Sequence, residues 1–154
     1  MREKLARQSG VKQKELAAEL ITESWAASVL PRRRPGAHKW SVGGIVVVAG
    51  SPPFAGAAAL CCAAAGRSGA GIISAALPRS IAPVVVGLVP EVTVVILPEG
   101  ESNSVAARAA DAIGERLERS AAIVVGPGLG DDAATAALLG TLFGFTRVRG
   151  SIGF

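Results

Sequence analysis

The sequence predicts an α/β domain built on a mainly parallel sheet, and two observations support this fold class. Four short runs rich in Val and Ile alternate with stretches of helical character, which is typical of right-handed βαβ units. Half of the 154 residues are hydrophobic, with only four Phe, two Trp and no Tyr. A composition dominated by Ala, Val, Ile and Leu suits strands buried on both faces and helices that pack closely through alanine. The length is that of one ordinary domain.

The individual elements follow from local patterns. Strand-length apolar runs rich in β-branched residues predict strands over 45–49, 72–76, 92–97 and 122–125. Between them, helices are predicted over 57–66, 81–87 and 104–118. Ser104 is expected to cap the third of these helices, and Asp131 is expected to cap a last helix that continues through Leu142, because both residue types are good N-caps.

The first forty residues differ from the rest in charge. They hold nine Lys or Arg against four Asp or Glu, whereas the remainder is nearly balanced. A helix is predicted over 11–20, and a second, short helix is predicted from Thr22. Pro31 and Pro35 are expected to end the second helix, since proline disfavours helical backbone in the residue before it. We therefore expect residues 1–20 to be a basic helical lead-in or the tail of a preceding domain, and residues 21–154 to be one domain.

Composition argues against several functional classes. No run approaches the ~18 apolar residues of a membrane span, and the charged start lacks the pattern of a secretory signal. A cytoplasmic protein is therefore expected. The run Arg32–Arg34 has no reading motif or interleaved aromatic residues for nucleic acid, which favours a solvated segment, or contact with an anionic nucleotide.

The two cysteines do not predict a metal site or thiol catalysis. Cys61 and Cys62 are neighbours in an Ala-rich stretch, without C-x-x-C spacing or a paired histidine. They are expected to be small buried hydrophobic residues in a reducing compartment.

Two strand–loop–helix units carry the candidate binding site. The run 122–125 ends in the glycine-rich turn 126–130 and two aspartates, and the run 45–49 enters a loop of small residues and an Ala-rich helix. Glycine lets backbone approach a ligand, and helix N-termini favour anionic groups, although tight strand-to-helix turns also need glycine for geometry alone. Because both loops follow parallel strands, they are expected to form one crevice, where open α/β sheets bind ligands.

The order of six short motifs resembles one known family. They are Pro31–Lys39, Val46–Ser51, Gly56–Ala58, Arg67–Gly71, Val89–Val92 and Gly126–Gly130. Over about residues 20–143 the set closely resembles the N-terminal half of the ADP-dependent NAD(P)H-hydrate dehydratase family, which has a ribokinase-like three-layer fold. The resemblance implies a lyase that repairs hydrated NADH and NADPH, uses ADP or ATP with Mg²⁺, and activates the added hydroxyl as a phosphate.

The resemblance also implies two substrate-binding residues. In the family, the alanine after the loop glycine contacts the hydrated dinucleotide, and it corresponds to Ala57. The middle glycine of the Gly-Pro-Gly turn does the same and corresponds to Gly128. A methyl group or a hydrogen lets the substrate lie against backbone. Without the resemblance, Ala57 would be an ordinary residue in the first turn of a helix.

This sequence departs from the family pattern in two loops. Phe54-Ala55-Gly56 stands where Tyr-Thr-Gly is common, which removes two hydroxyl donors, and His38-Lys39-Trp40 replaces His-Lys-Gly. His38 is the only histidine. A loop-anchoring role is expected for it rather than proton transfer, because few acid or base partners lie near it in sequence.

The residues that the family uses for catalysis do not occur here. The Thr-Pro-His-Pro-Gly-Glu segment, the nucleotide-binding loop and the Gly-Thr-Gly-Asp turn with the catalytic aspartate are absent from this sequence. Glu91, Asp131 and Asp132 lie near candidate loops but not in those motifs. No catalytic residue is therefore assigned, the chain alone is expected to be inactive, and the domain is expected to stop after about four strands.

Two alternatives remain open at this stage. One is a related ribokinase-like small-molecule kinase, which shares the fold. The other is a non-catalytic fragment that binds nucleotide or forms a homo-oligomer through an open sheet edge, where unpaired N–H and C=O groups invite a second chain.

Overall fold

A computed structural model describes residues 20–30, 34–99 and 103–149. The chain divides into two units, Met1–Arg33 and Arg34–Phe154. The first unit contains helix α1 (Glu23–Val29), which Thr22 caps by accepting a hydrogen bond from the backbone N–H of Trp25 at 3.2 Å. The helix predicted over 11–20 lies outside the described residues, and the predicted boundary at residue 20 stays a prediction.

The second unit alternates strands and helices. In chain order these are α2 (Lys39–Val42), β1 (Gly44–Val48), a 3-10 turn (Pro52–Phe54), α3 (Ala55–Arg67), β2 (Ile72–Pro78), α4 (Ala82–Leu88), β3 (Thr93–Leu97), α5 (Asn103–Leu117), β4 (Ala122–Val125) and α6 (Ala133–Arg149). The four strands begin and end within two residues of the predicted runs. Helix α2 and the 3-10 turn were not predicted, because neither carries an apolar period.

The four strands form one parallel sheet in the order β3-β2-β1-β4. Val47 in β1 pairs with Ala75 in β2 on one side and with Val124 in β4 on the other. The predicted parallel α/β fold is therefore confirmed. Because all strands run the same way, the loops that follow them emerge at one edge, which we call the carboxyl edge.

Helices cover both faces of the sheet, which gives three layers. On one face, Val47 and Ala49 pack against α3 and α4 through buried Ala58, Cys62 and Val85. On the other face the core continues toward α5 and α6, with these buried members: Val46, Val48, Ala110, Ile113, Leu138 and Leu142. Successive residues of β1 serve opposite cores, which explains its unbroken apolar run. Within the described residues, no helix is long and apolar enough to span a membrane.

Three predicted helix ends were wrong. Helix α5 begins at Asn103, so Ser104 lies inside its first turn and is not the N-cap. The cap of α6 is Asp132 rather than Asp131, because it is the Asp132 carboxylate that accepts a hydrogen bond from the backbone N–H of Thr135 at 2.7 Å. Helix α6 also continues past Leu142 to Arg149, so Gly144 does not end it.

Candidate functional site

The loops after β1 and β4 are hydrogen bonded to each other at the carboxyl edge. The backbone N–H of Gly50 donates to the Pro127 carbonyl at 2.8 Å. The Ser51 hydroxyl donates to the Gly128 carbonyl at 2.7 Å, across a separation of 77 residues along the chain. The two glycine-containing loops predicted from the sequence are therefore side by side, at the edge where open α/β sheets bind ligands.

Ala57 and Gly128 meet where these loops touch. An ideal Cβ on Gly128 would lie 2.8 Å from the Cβ atoms of both Ala57 and Phe54, and the φ of Gly128 is +71°. Any larger side chain at position 128 would therefore be strained and would collide with the start of α3. Ala57 and Gly128 are both half-buried, so each keeps some surface open. We call the surface formed by Ser51, Phe54, Ala57, Pro127 and Gly128 the loop seam.

A cavity of about 280 Å³ opens beside the loop seam, on the side of α5 and α6. Its walls are mainly apolar, and its polar lining residues are Ser51, Glu99, Asp132 and Thr135. Ala57 and Gly128 do not line this cavity. Ser51 belongs to both the loop seam and the cavity, because its hydroxyl donates to the Gly128 carbonyl and the residue also lines the cavity. Apolar walls with a few polar groups are typical of small-molecule sites.

The two carboxylates at the cavity are ionised acceptors rather than bases. The hydroxyl and backbone N–H of Ser80 donate to Oε1 of Glu99 at 2.6 and 3.3 Å, and these bonds lower the pKa of Glu99. The backbone N–H of Thr135 likewise lowers the pKa of Asp132. A general base is most effective with a pKa near neutrality, so neither group is suited to that task as it stands.

Other candidate residues lie away from the loop seam. His38 precedes α2 and is exposed, and its backbone N–H donates to the Ser41 hydroxyl at 2.9 Å. Glu91 follows α4. Both therefore sit at the amino edge of the sheet, opposite the cavity. Asp131 is exposed in the loop after β4, beside Asp132 but not among the residues that line the cavity.

The cysteines are not activated. Burial raises the pKa of the Cys62 thiol to about 11, and burial also raises that of Cys61. The thiolate is the nucleophilic form, so both side chains serve as packing groups in α3. Among the residues that the structure describes, no three His, Cys, Asp or Glu side chains are close enough together to hold a metal ion.

Sequence reasoning missed four of the residues now seen at or beside the cavity. Ser51 stood in a quoted motif without an assigned role, and Ser80, Glu99 and Thr135 were not singled out. All four lie in the segments that follow strands β1 to β4. These positions could have been found from the rule that parallel sheets bind ligands at the carboxyl ends of their strands.

Comparison with known proteins gives a consistent result. A family model described as NAD(P)H-hydrate dehydratase matches residues 45–146. The bifunctional NAD(P)H-hydrate repair enzyme Nnr of Salinibacter ruber is 42% identical over 107 residues, covering 69% of this chain and 20% of the relative. The enzyme of the same name from Moorella thermoacetica is 36% identical over 135 residues, covering 84% of this chain and 26% of the relative.

Solved structures agree with the fold. An ADP/ATP-dependent NAD(P)H-hydrate dehydratase from Bacillus subtilis, co-crystallised with ATP and Mg²⁺, matches with a TM-score of 0.61 and 27% identity over 79% of this chain and 40% of that one. A ribokinase-like superfamily protein from Enterococcus faecalis matches with a TM-score of 0.66 and 22% identity, over 80% and 40% of the two chains. The chain thus spans a fifth to two fifths of the proteins described here.

Proposed function

We propose a function from one premise: the chain belongs to the NAD(P)H-hydrate dehydratase family. We infer that it supplies the dinucleotide-facing part of a site that dehydrates hydrated NADH or NADPH in the cytoplasm at the expense of ADP or ATP. The observation that supports this proposal is the loop seam, where two loops distant in sequence lock together at the ligand-binding edge of the sheet. In the proposed reaction, the substrate hydroxyl takes the terminal phosphoryl group of ADP or ATP and releases AMP or ADP. The phosphate then leaves as a proton is lost from the neighbouring ring carbon, which restores the double bond.

Ala57 and Gly128 are the proposed contacts for the hydrated dinucleotide. Both residues are small and only half-buried, so a flat ligand could lie against the surface that they leave open. The Gly128 carbonyl already accepts a hydrogen bond from the Ser51 hydroxyl, so the proposed contact with the ligand is made mainly by the two small residues themselves.

Charge around the cavity indicates how the substrate would be oriented. Glu99 and Asp132 are both ionised, so the phosphates of a dinucleotide would be repelled there. The uncharged end of the substrate, with its hydroxyl and carboxamide donors, fits these acceptors better. We therefore propose that the carboxamide of this end faces the cavity and that the reacting hydroxyl stays at the cavity mouth, where a phosphate of ADP or ATP can reach it, while the dinucleotide's own phosphates lie farther out.

The described residues do not fit a resident Mg²⁺ ion. Magnesium in nucleotide enzymes is commonly held by one or two carboxylates together with substrate phosphates. Here Glu99 is engaged by Ser80, Asp132 is engaged by Thr135, and the described residues form no metal-binding cluster. We assign no metal ligand, no nucleotide ligand and no catalytic base to these residues.

A second candidate function is binding without catalysis. The observation that favours it is the lowered pKa of both cavity carboxylates, Glu99 and Asp132, which leaves neither of them suited to act as a general base. The related-kinase alternative has less support, since the family model and both of these relatives carry NAD(P)H-hydrate descriptions.

Titration of the purified chain with hydrated NADPH, followed by ligand-observed NMR and calorimetry, tests the proposed contacts. We expect Ala57→Leu to weaken binding at least about 10-fold, since a lost steric fit of this kind is worth more than ~1.4 kcal/mol. The matched control is Ala122→Leu, an exposed alanine at the amino end of β4. Equal affinities for both variants, or no binding by the parent chain, would overturn the assignment.

A further inference from the structure

Arg79 is the one positive side chain among the described residues of the loops at the carboxyl edge. The described residues that lie between a strand and the helix after it include four charged side chains: Arg79, Glu99, Asp131 and Asp132. A dinucleotide carries a diphosphate, which carboxylates repel and a guanidinium attracts. Within the described part of this edge, Arg79 is therefore the group whose charge suits the phosphates of the proposed substrate.

A hydrogen-bonded turn holds the backbone of Arg79 in place. In this turn the backbone N–H of Ile81 donates to the Pro78 carbonyl at 3.2 Å. Ser80, which follows Arg79, donates to Oε1 of Glu99 through both its hydroxyl and its backbone N–H. The turn is thus fixed to the loop after β3, which limits the ordering entropy that is lost when it meets a ligand.

The same turn packs against the first loop of the loop seam. Ile81 is buried, and an ideal Cβ on Gly50 would lie 2.7 Å from Cδ1 of Ile81. The backbone N–H of Gly50 in turn donates to the Pro127 carbonyl. Since β2 is the neighbour of β1 in the sheet, Arg79 follows the strand beside the loop seam.

Arg79 lies outside the cavity but close to its mouth. The residue is exposed and does not line the cavity, whereas Pro78 and Glu99 do. The hydrogen bonds from Ser80 lower the pKa of Glu99, and the positive charge of Arg79 adds to this effect. The guanidinium is therefore near the cavity carboxylate, and it offsets the negative charge of Glu99 for a group that stays outside the cavity.

We propose that Arg79 binds a phosphate group of the hydrated dinucleotide, an inference that rests on the proposed function. A guanidinium presents planar N–H donors that match two oxygens of one phosphate. The proposed orientation of the substrate places its phosphates outside the cavity, on the side of the sheet edge where this donor group stands. Arg79 would then favour the phosphorylated dinucleotide over the same nicotinamide ring on a sugar without phosphate.

Calorimetric titration of the purified full chain with hydrated NADH tests the proposal. Arg79→Gln should weaken binding about 10-fold, because hydrogen bonds to charged groups carry that much free energy. Arg79→Lys should recover part of the loss, since it keeps the charge without the planar donors. The matched control is Arg116→Gln, because Arg116 is an exposed arginine in the last turn of α5, at the amino edge.

Two further ligands identify the group that Arg79 binds. A loss of affinity for hydrated NADH assigns the diphosphate, and a loss confined to hydrated NADPH assigns its additional phosphate. Hydrated nicotinamide riboside has no phosphate, so Arg79→Gln should bind it as the parent chain does. An equal loss for the riboside, or a loss for ADP alone, would overturn the proposal.

The remaining outcomes separate this proposal from the proposed function. Binding of both dinucleotides that is the same in Arg79→Gln and Arg116→Gln would overturn the role of Arg79 and leave the proposed function standing. No binding by the parent chain would overturn both. A role exercised only through Glu99 is tested in a Glu99→Gln background, where Arg79→Gln should still weaken binding of hydrated NADH. An effect that vanishes there would overturn direct contact with phosphate.

Discussion

The close contact at the loop seam requires a glycine at position 128. Gly128 has a left-handed backbone and no room for a methyl group. We predict that Gly128→Ala lowers the free energy of unfolding by about 2–4 kcal/mol, from backbone strain together with overpacking. Urea denaturation followed by circular dichroism measures the loss.

The control for this substitution is Gly36→Ala. Gly36 also has a positive φ, of +81°, but nothing lies within 4 Å of an ideal Cβ there. The free energy of unfolding of Gly36→Ala should fall by only about 1 kcal/mol, which is the contribution of backbone strain alone. Equal losses at the two positions would show that the close contact at the loop seam has no energetic weight.

At the scale of single residues, site positions could be predicted from the sequence where they lie in a short local motif. Ala57 and Gly128 stand in short recognisable motifs, and the structure places them in contact. Their role in binding substrate remains a prediction. Glu99 and Ser80 had no such motif, because their pairing depends on β2 and β3 being neighbours in the sheet.

At the scale of elements, the N-terminus of α6 is capped by one carboxylate. Asp132 accepts a hydrogen bond from Thr135, whereas the exposed Asp131 is not the capping residue. We predict that Asp132→Ala lowers the melting temperature more than Asp131→Ala does, because it leaves a first-turn N–H without its acceptor. Differential scanning calorimetry of the two variants compares them directly.

The effect of Asp132 should depend on pH with a definite sign. The folded-state pKa of this group is depressed, so its stabilising contribution is complete above the pKa of the unfolded chain, ~3.9. That contribution is lost as the pH falls through the lower, folded-state pKa. The gap in melting temperature between parent and Asp132→Ala should therefore be constant near neutral pH and close in acid. A gap that widens in acid would contradict the capping role.

Strands were more predictable than helix ends. The β-branched runs fixed the strands to within two residues, because buried strands need apolar side chains on both faces. The end of α6 was placed too early, at Leu142, whereas the helix continues through Gly144 to Arg149. A local pattern specifies a helix end poorly, because one glycine lowers helix propensity by only about 1 kcal/mol.

At the scale of the whole molecule, we predict that the purified chain has no dehydratase activity. A positioned proton-transfer group is commonly worth ~10²–10⁴-fold in rate, and no described carboxylate in the cavity has the raised pKa that this task favours. The chain would be mixed with hydrated NADPH, ADP and Mg²⁺, and NADPH absorbance followed against a blank without protein. An active dehydratase in parallel controls the assay, and a rate above blank that survives further purification would contradict the prediction.

The sheet class followed from the sequence, but the strand order did not. Alternating strands and helices predict parallel pairing, which the structure confirms. Nothing in the local pattern says that β4 lies beside β1 rather than beside β3. That choice is made by the packing of α5 and α6 against the same face of the sheet, a long-range property.

The position of β4 beside β1 has a consequence for how the chain acquires its shape. Strands β1, β2 and β3 pair with sequence neighbours, whereas the hydroxyl of Ser51 must find a carbonyl 77 residues away. Closing so long a loop carries a larger entropic penalty than the local pairings do, and non-local contacts of this kind slow folding. During synthesis, the first three strands can assemble while β4 is still emerging. The loop seam therefore forms only when β4 docks beside β1.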